Sequence, residues 1–322
     1  MQNKFRRSFI VTAFLLTGLV SKAQHADSSF SGIRTATQQK YGLNPSVSLS
    51  ARVIATPKDV LAMFHEAGMA PTEHQLTAAE QQKVETAFAM LPPLHQRVLK
   101  DRLRSISFLD NMPNTALTST LNYDERYNVF HITFRAAILH ETVTHWLTEK
   151  ERTCFDTAHS PARVNINGGQ LDAFVYVLIH ETTHVVDASL GITDKRPGKL
   201  SESNQVADFA AGIWEDRTTL TPTLRDSVLQ GIAFRYGGKK VAVTQAPDLY
   251  KALQKTPFVS LYGSCARSED LAEYVTVYHM TQHLKQPFRI EVSSKGKKLL
   301  AYEPMQSKLV RRRLGMMRWF YV

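Results

Sequence analysis

Two histidines and a glutamate stand together at His180-Glu181-Thr182-Thr183-His184, at a spacing suited to work on one bound ion. Positions four apart lie on nearly the same face of a helix, so both imidazoles can reach one metal. Glu181 then sits beside any water the metal holds and can take its proton. The neighbours predict the helix this requires, over Gln170 to Gly191. Phe174, Val177, Leu178 and Ile179 precede the pair, Val185 and Val186 follow it, and Gly191 offers a left-handed stop. The uncharged Thr182 and Thr183 and the apolar setting favour a metal site over two histidines satisfied by other hydrogen bonds.

A second string, Leu139-His140-Glu141-Thr142-Val143-Thr144-His145, looks alike but spaces its histidines five apart. On a helix that turns them about 140° from each other, so they cannot share a small ion from one face. It reads as an amphipathic helix without a metal.

A catalytic zinc takes three protein ligands and keeps one open position, so a third ligand must come from elsewhere. A histidine six positions beyond His184 would serve, but Leu190 stands there. Asp187, one turn past His184, could contact the ion, orient a ring or bond within its own helix. Glu202, Glu215 and Glu269 remain as candidates from other segments. Glu269 is favoured because Glu273 follows it by one helical turn, and metal-bound histidines usually donate their other ring N–H to such a carboxylate. The acidic pair Glu269-Asp270 would also complement the dipole of a helix beginning there.

An HExxH joined to a downstream glutamate with an acidic residue one turn later resembles the gluzincin metallopeptidases. Residues 269 to 273, Glu-Asp-Leu-Ala-Glu, look most like the Glu-Phe-Phe-Ala-Glu of lethal-factor-type catalytic domains. Tyr262 stands seven positions before Glu269, as a tyrosine does in that family. The resemblance implies a zincin-like α+β fold, rich in helix, with a small and mostly antiparallel sheet beside the HExxH helix. It implies Zn2+ held by His180, His184 and Glu269 with Glu273 behind them, and the helical spacing keeps Asp187 as a further residue behind the ligands. Glu181 would be the general base of peptide-bond hydrolysis, and Tyr262 either an oxyanion donor or a rim aromatic. The substrate would be a protein or peptide. A non-catalytic zinc-binding envelope protein and a metal hydrolase of cell-wall amides are the competing readings. The resemblance covers little of the chain, and a long interval between His184 and Glu269 must be accommodated.

The first 23 residues have the pattern of a signal peptide: Lys4, Arg6 and Arg7, an apolar run from Phe9 to Val20, then Ser21-Lys22-Ala23. The run is shorter than the ~20 residues of a membrane span. The expectation is an exported protein, periplasmic or secreted, with no stable membrane anchor. Removing that segment takes four cations and no anion, lowering the formal charge from +10 to +6. Much of the rest lies among Lys295, Lys297, Lys298, Lys308, Arg311, Arg312, Arg313 and Arg318, read as a solvated basic face. No finger, RNP strand or basic zipper points to nucleic acid. Outside the cytoplasm Cys154 and Cys265 could form one disulfide, with two buried thiols as the alternative.

Residues 24–50 read as a flexible lead-in, 51–160 as a helical and strand region and 161–322 as the active-site region, the last two forming one unit. Helices are predicted from Pro57, from the capping box Thr77-Ala78-Ala79-Glu80 and from Pro93. Strands are predicted over 106–109, 116–121 and 127–134, then a helix over 137–154 and a loop into the motif helix. A helix capped by Ser268 runs to about Leu284, and a hairpin turning at Ser294-Lys295-Gly296 precedes a basic closing helix.

Overall fold

A computed structural model describes residues 30–121, 127–193 and 209–322. The N-terminal 23 residues read as a signal peptide lie outside these, as does Glu202. The first described element is a helix, α1, over residues 30–40. Phe30 packs edge-on against Tyr127, and Arg34 pairs with Asp101 at 2.6 Å. The expected lead-in is thus structured from residue 30. Its polar composition hid one apolar stripe, in which Phe30, Ile33 and Tyr41 pack with Leu43, Tyr127 and Val129.

Helix α2 (Lys58–Glu66) and a two-residue strand β1 (Thr72–Glu73) follow. Helix α3 (Ala78–Ala89) opens on the predicted capping box, and α4 (Pro93–Arg102) opens on its proline. Strands β2 (Leu103–Asp110), β3 (Ala116–Thr120) and β4 (Phe130–Arg135) complete a four-stranded sheet in the order β1-β2-β4-β3. Two of its three pairings are antiparallel, in keeping with the mostly antiparallel sheet expected. The long central pair β2 and β4 is parallel, because β3 takes the outer edge and β4 returns between it and β2. Phe130, Ile132 and Phe134 join Ile106 and Phe108 on the face towards the motif helix, where Phe134 packs edge-on to Phe174 at 5.0 Å. The other face is buried too. There Ser105 and Ser107 hydrogen-bond His131 at 2.8 and 3.0 Å, and α2 covers Leu109. Burial on both faces is why β4 shows no clean alternation in sequence.

The look-alike segment does not form one helix. Ala136–His140 is a 3-10 turn, and α5 (Val143–Arg152) starts afresh on its Thr142 cap. His140 Nε2 instead meets Glu80 at 2.8 Å, and His74 Nε2 reaches the same oxygen at 3.2 Å. Burial alone would raise the Glu80 pKa, but the Thr77 amide and hydroxyl, then His140 and His74, hold it down to about 2. A depressed carboxyl stabilises the fold above its ordinary value of 4.5, and that contribution is lost as pH falls towards about 2. The melting temperature of Glu80→Gln should therefore lie below that of the parent at pH 6 and converge with it near pH 2. A gap that persists unchanged at pH 2 would contradict this role.

Strands β5 (Phe155–Asp156) and β6 (Ala162–Asn167) lead to the motif helix α6 (Ala173–Leu190). Strand β6 stands in place of the expected loop. Ala162, Val164 and Ile166 alternate inwards while Arg163, Asn165 and Asn167 face out, a period-two pattern obscured by its asparagines. Helix α7 (Ser227–Gln230), strand β7 (Val241–Ala242), paired with β5, and helix α8 (Ala246–Leu253) come next. Helix α9 (Arg267–Tyr278) begins after Ala266 rather than at a Ser268 cap, and continues into a π turn to His283.

Strands β8 (Arg289–Ser294) and β9 (Lys297–Tyr302) form the predicted hairpin and pair with β6 in a three-stranded antiparallel sheet. Its turn places Lys295 and Gly296 at φ 48° and 74°, the positive angles a two-residue primed turn demands. The expected closing helix is broken into short turns from Pro304 to Tyr321. Cys154 and Cys265 are both free and buried, so the disulfide gives way to two thiols. Among the described residues no helix is long and apolar enough to cross a membrane.

Candidate metal centre

Helix α6 is buried almost throughout, from Ala173 to Ser189, and His180 is buried within it while His184 is partly exposed. Gly191 stops it in the left-handed region at φ 65°. Asp187 serves this end of the helix. Its carboxylate accepts the Thr193 amide at 2.7 Å and the Thr193 hydroxyl at 2.6 Å. This is the bond at its own helix end that the sequence offered for Asp187 beside a place behind the ligands.

Helix α9 packs along α6 and delivers Glu269 in its first turn. His180 Nε2 lies 3.1 Å from Glu269 Oε2 and 3.3 Å from His184 Nε2, and the third side of the triangle is 3.4 Å. Atoms held 2.0–2.1 Å from a tetrahedral ion stand about 3.3 Å apart, so three ligand positions of one such ion are present. The far side of His180 fits the same purpose. Its Nδ1 is 3.1 Å from Glu273 Oε1, and neither atom has a hydrogen-bond partner by strict geometry. A proton on Nδ1 facing Glu273 leaves Nε2 free to bind, which is the tautomer an ion requires.

The charges agree with this arrangement. Burial alone would lower the His180 pKa, but Glu269 and Glu273 outweigh it and hold it up to about 9. His184 is raised in the same way by Glu269. Burial would raise the Glu269 pKa, yet the two rings hold it well below the usual carboxylate range. A divalent cation seated among the two rings and the carboxylate would supply the positive charge that Glu269 draws from them here.

Several residues that supported no sequence reading complete the surroundings. Glu273 Oε2 accepts the hydroxyls of Ser260 at 2.7 Å and Tyr176 at 3.0 Å. Burial would raise the Glu273 pKa, but Lys150 and His180 bring it to about 2. Lys150 comes from α5, the look-alike helix, with its ammonium 3.7 Å from the Tyr262 ring centre and 3.7 Å from Glu273. Behind α6, His95 bonds the Thr183 hydroxyl at 2.8 Å while that hydroxyl donates to the Ile179 carbonyl. Their types carried no signal, because each acquires its meaning only from packing.

Tyr262 lies on a 3-10 turn, with its ring 5.9 Å from that of His180 and 5.3 Å from Phe234. Burial, then the nearby Glu269 and Glu273 carboxylates, push its pKa up, so the hydroxyl keeps its proton as a donor. Glu181 faces the edge strand, where its Oε2 accepts the Thr118 hydroxyl at 2.7 Å. Glu215 is elsewhere, paired with Arg225 at 2.5 Å.

Asp270, the residue after Glu269, is buried against Arg313 at 2.7 Å and the Trp214 indole at 3.0 Å. Arg313 therefore departs from the solvated basic face expected of its neighbours. Its guanidinium lies 4.4 Å from the Phe209 ring centre and 4.5 Å from that of Tyr274. Leaving either charge alone there would cost on the order of 3–5 kcal/mol, so the C-terminal segment is fastened to α9.

Fold and site together define an α+β protein with a buried group of two histidines and one glutamate able to hold a metal ion. Compared with protein-family models, curated proteins and solved structures, the chain matches none.

Proposed function

We propose that the protein is an exported zinc-dependent peptidase. The observation that carries this reading is the triangle of His180 Nε2, His184 Nε2 and Glu269 Oε2 at 3.1 to 3.4 Å. Zinc suits two imidazoles and a carboxylate, and when bound there it would polarise a water and a substrate carbonyl. Glu181 takes the proton of the attacking water and returns it to the leaving amine. Tyr262 donates its hydroxyl proton to the developing oxyanion. Glu273, fixed by Ser260, Tyr176 and Lys150, holds the His180 ring in place.

An extended peptide fits the outer edge of β3, the last strand of its sheet, by backbone pairing. The charged, apolar and small-residue pattern of the first 23 residues supports an exported address. The test is to load the purified chain with zinc, count ions per chain, and follow hydrolysis of a diverse library of quenched peptides beside peptidoglycan fragments. One zinc per chain and peptide cleavage are expected. Zinc binding without cleavage of any peptide would overturn the peptidase reading, and cleavage of peptidoglycan alone would move the substrate to cell-wall amides.

A further inference from the structure

The hydrogen bond between Thr118 and Glu181 joins a strand to the proposed base, and the register of that strand gives it a second meaning. In an antiparallel pair, alternate residues exchange both backbone bonds with the partner and those between them point their N–H and C=O away. The Leu121 amide donates to the Val129 carbonyl, and the Arg135 amide donates to the Thr115 carbonyl. Odd-numbered residues of this stretch therefore face β4. Ala116, Thr118 and Thr120 turn their backbone groups to the outer edge, since β3 ends the sheet among the described residues.

Side chains follow a different rule, alternating between the two faces of the sheet. Thr118 is opposite Ile132, on the face that packs against α6, and its hydroxyl reaches Glu181 Oε2 at 2.7 Å. Ser119 points to the opposite face, beside His131. A single residue thus has its backbone at the edge and its side chain on the glutamate.

A Thr hydroxyl has one proton, so donating it to one carboxylate oxygen leaves the other free to accept a proton from water. Glutamate has several rotamers, and a base that wanders from hydrogen-bond reach is lost to the reaction. A bond to a charged acceptor is among the stronger ones available to a neutral donor.

We propose that Thr118 is the positioning residue of Glu181, coupling the pairing of an extended substrate on β3 to the alignment of the base. The proposal rests on the peptidase reading for its kinetic consequence, but its structural content stands apart from it. Thr118→Val keeps the branched shape and removes the hydroxyl, and Thr118→Ala removes it where the valine fails to fold. With a quenched peptide as probe, the loss should fall on kcat, about tenfold to hundredfold, the scale on which small misplacements act. KM, zinc content and melting temperature should stay near the parent values. Thr118→Ser should restore kcat, and Ser119→Ala should leave it unchanged.

Unchanged kcat in both hydroxyl-free variants, a change in KM alone, or no rescue by serine would overturn the proposal. Crystal structures of the metal-free parent and hydroxyl-free variants give a reading independent of turnover. The Glu181 carboxylate should leave its place without the hydroxyl and keep it with serine. If the zinc-loaded parent cleaves no peptide, the peptidase reading falls and these structures decide the positioning role, which an unmoved Glu181 would refute.

Discussion

Glu181→Gln should lower peptide turnover roughly a thousandfold, within the 10²–10⁴ range of general acid–base catalysis, while the chain still binds its metal. Glutamine keeps the length and hydrogen-bonding capacity of the side chain, and its amide oxygen can still accept from Thr118. What it lacks is the ability to take a proton from water. Glu181 is outside the His180, His184 and Glu269 triangle, so the metal ligands are untouched. Turnover and metal content measured on the same preparation separate the two effects. Parental turnover in this variant would remove Glu181 from the chemistry.

The second large effect concerns the ligand from α9. Glu269→Ala should weaken zinc binding more than about a hundredfold, beyond the 10–100-fold that loss of an outer partner costs. Glu273→Ala should fall within that smaller range, because Glu273 faces Nδ1 of His180 and not the common point of the three ligand atoms. Glu215→Ala should bind as the parent does, since its carboxylate is engaged by Arg225. Titration against a competing chelator ranks the variants. Binding by the Glu269→Ala chain as tight as that of the parent would place the third ligand elsewhere.

The motif helix was legible because its information is local. Histidines at a helical interval, apolar neighbours and a terminal glycine all lie within one stretch of chain. The hairpin at Lys295-Gly296 and the capping box at Thr77 and Glu80 were legible for the same reason. Glu269 and Glu273 could be read because one turn of helix links them, although the distance of Glu269 from His180 could not. Thr118, Lys150, Ser260 and His95 were illegible, since each reaches the site from another segment, and Tyr176, on the motif helix itself, reads there as one more core residue. Strand β4 was legible as a strand but not in its register, because with both faces buried alternation no longer separates inside from outside. Asp187 was read both for its distance from His184 and for a bond within its own helix, and its carboxylate makes the second.

The clamp between Arg313 and Asp270 bears on when the centre can exist. Ribosomes release a chain from its N-terminus, and His180 and His184 emerge long before the residue that completes their triangle. Asp270, next to that residue, gains its buried guanidinium partner only when Arg313, 43 positions further on, folds against it. Seating of Glu269 beside the two histidines is therefore tied to docking of the Arg313 segment, and a chain cut between Asp270 and Arg313 keeps the histidines without that support. The candidate centre thus depends on a segment that contributes none of its three ligand atoms.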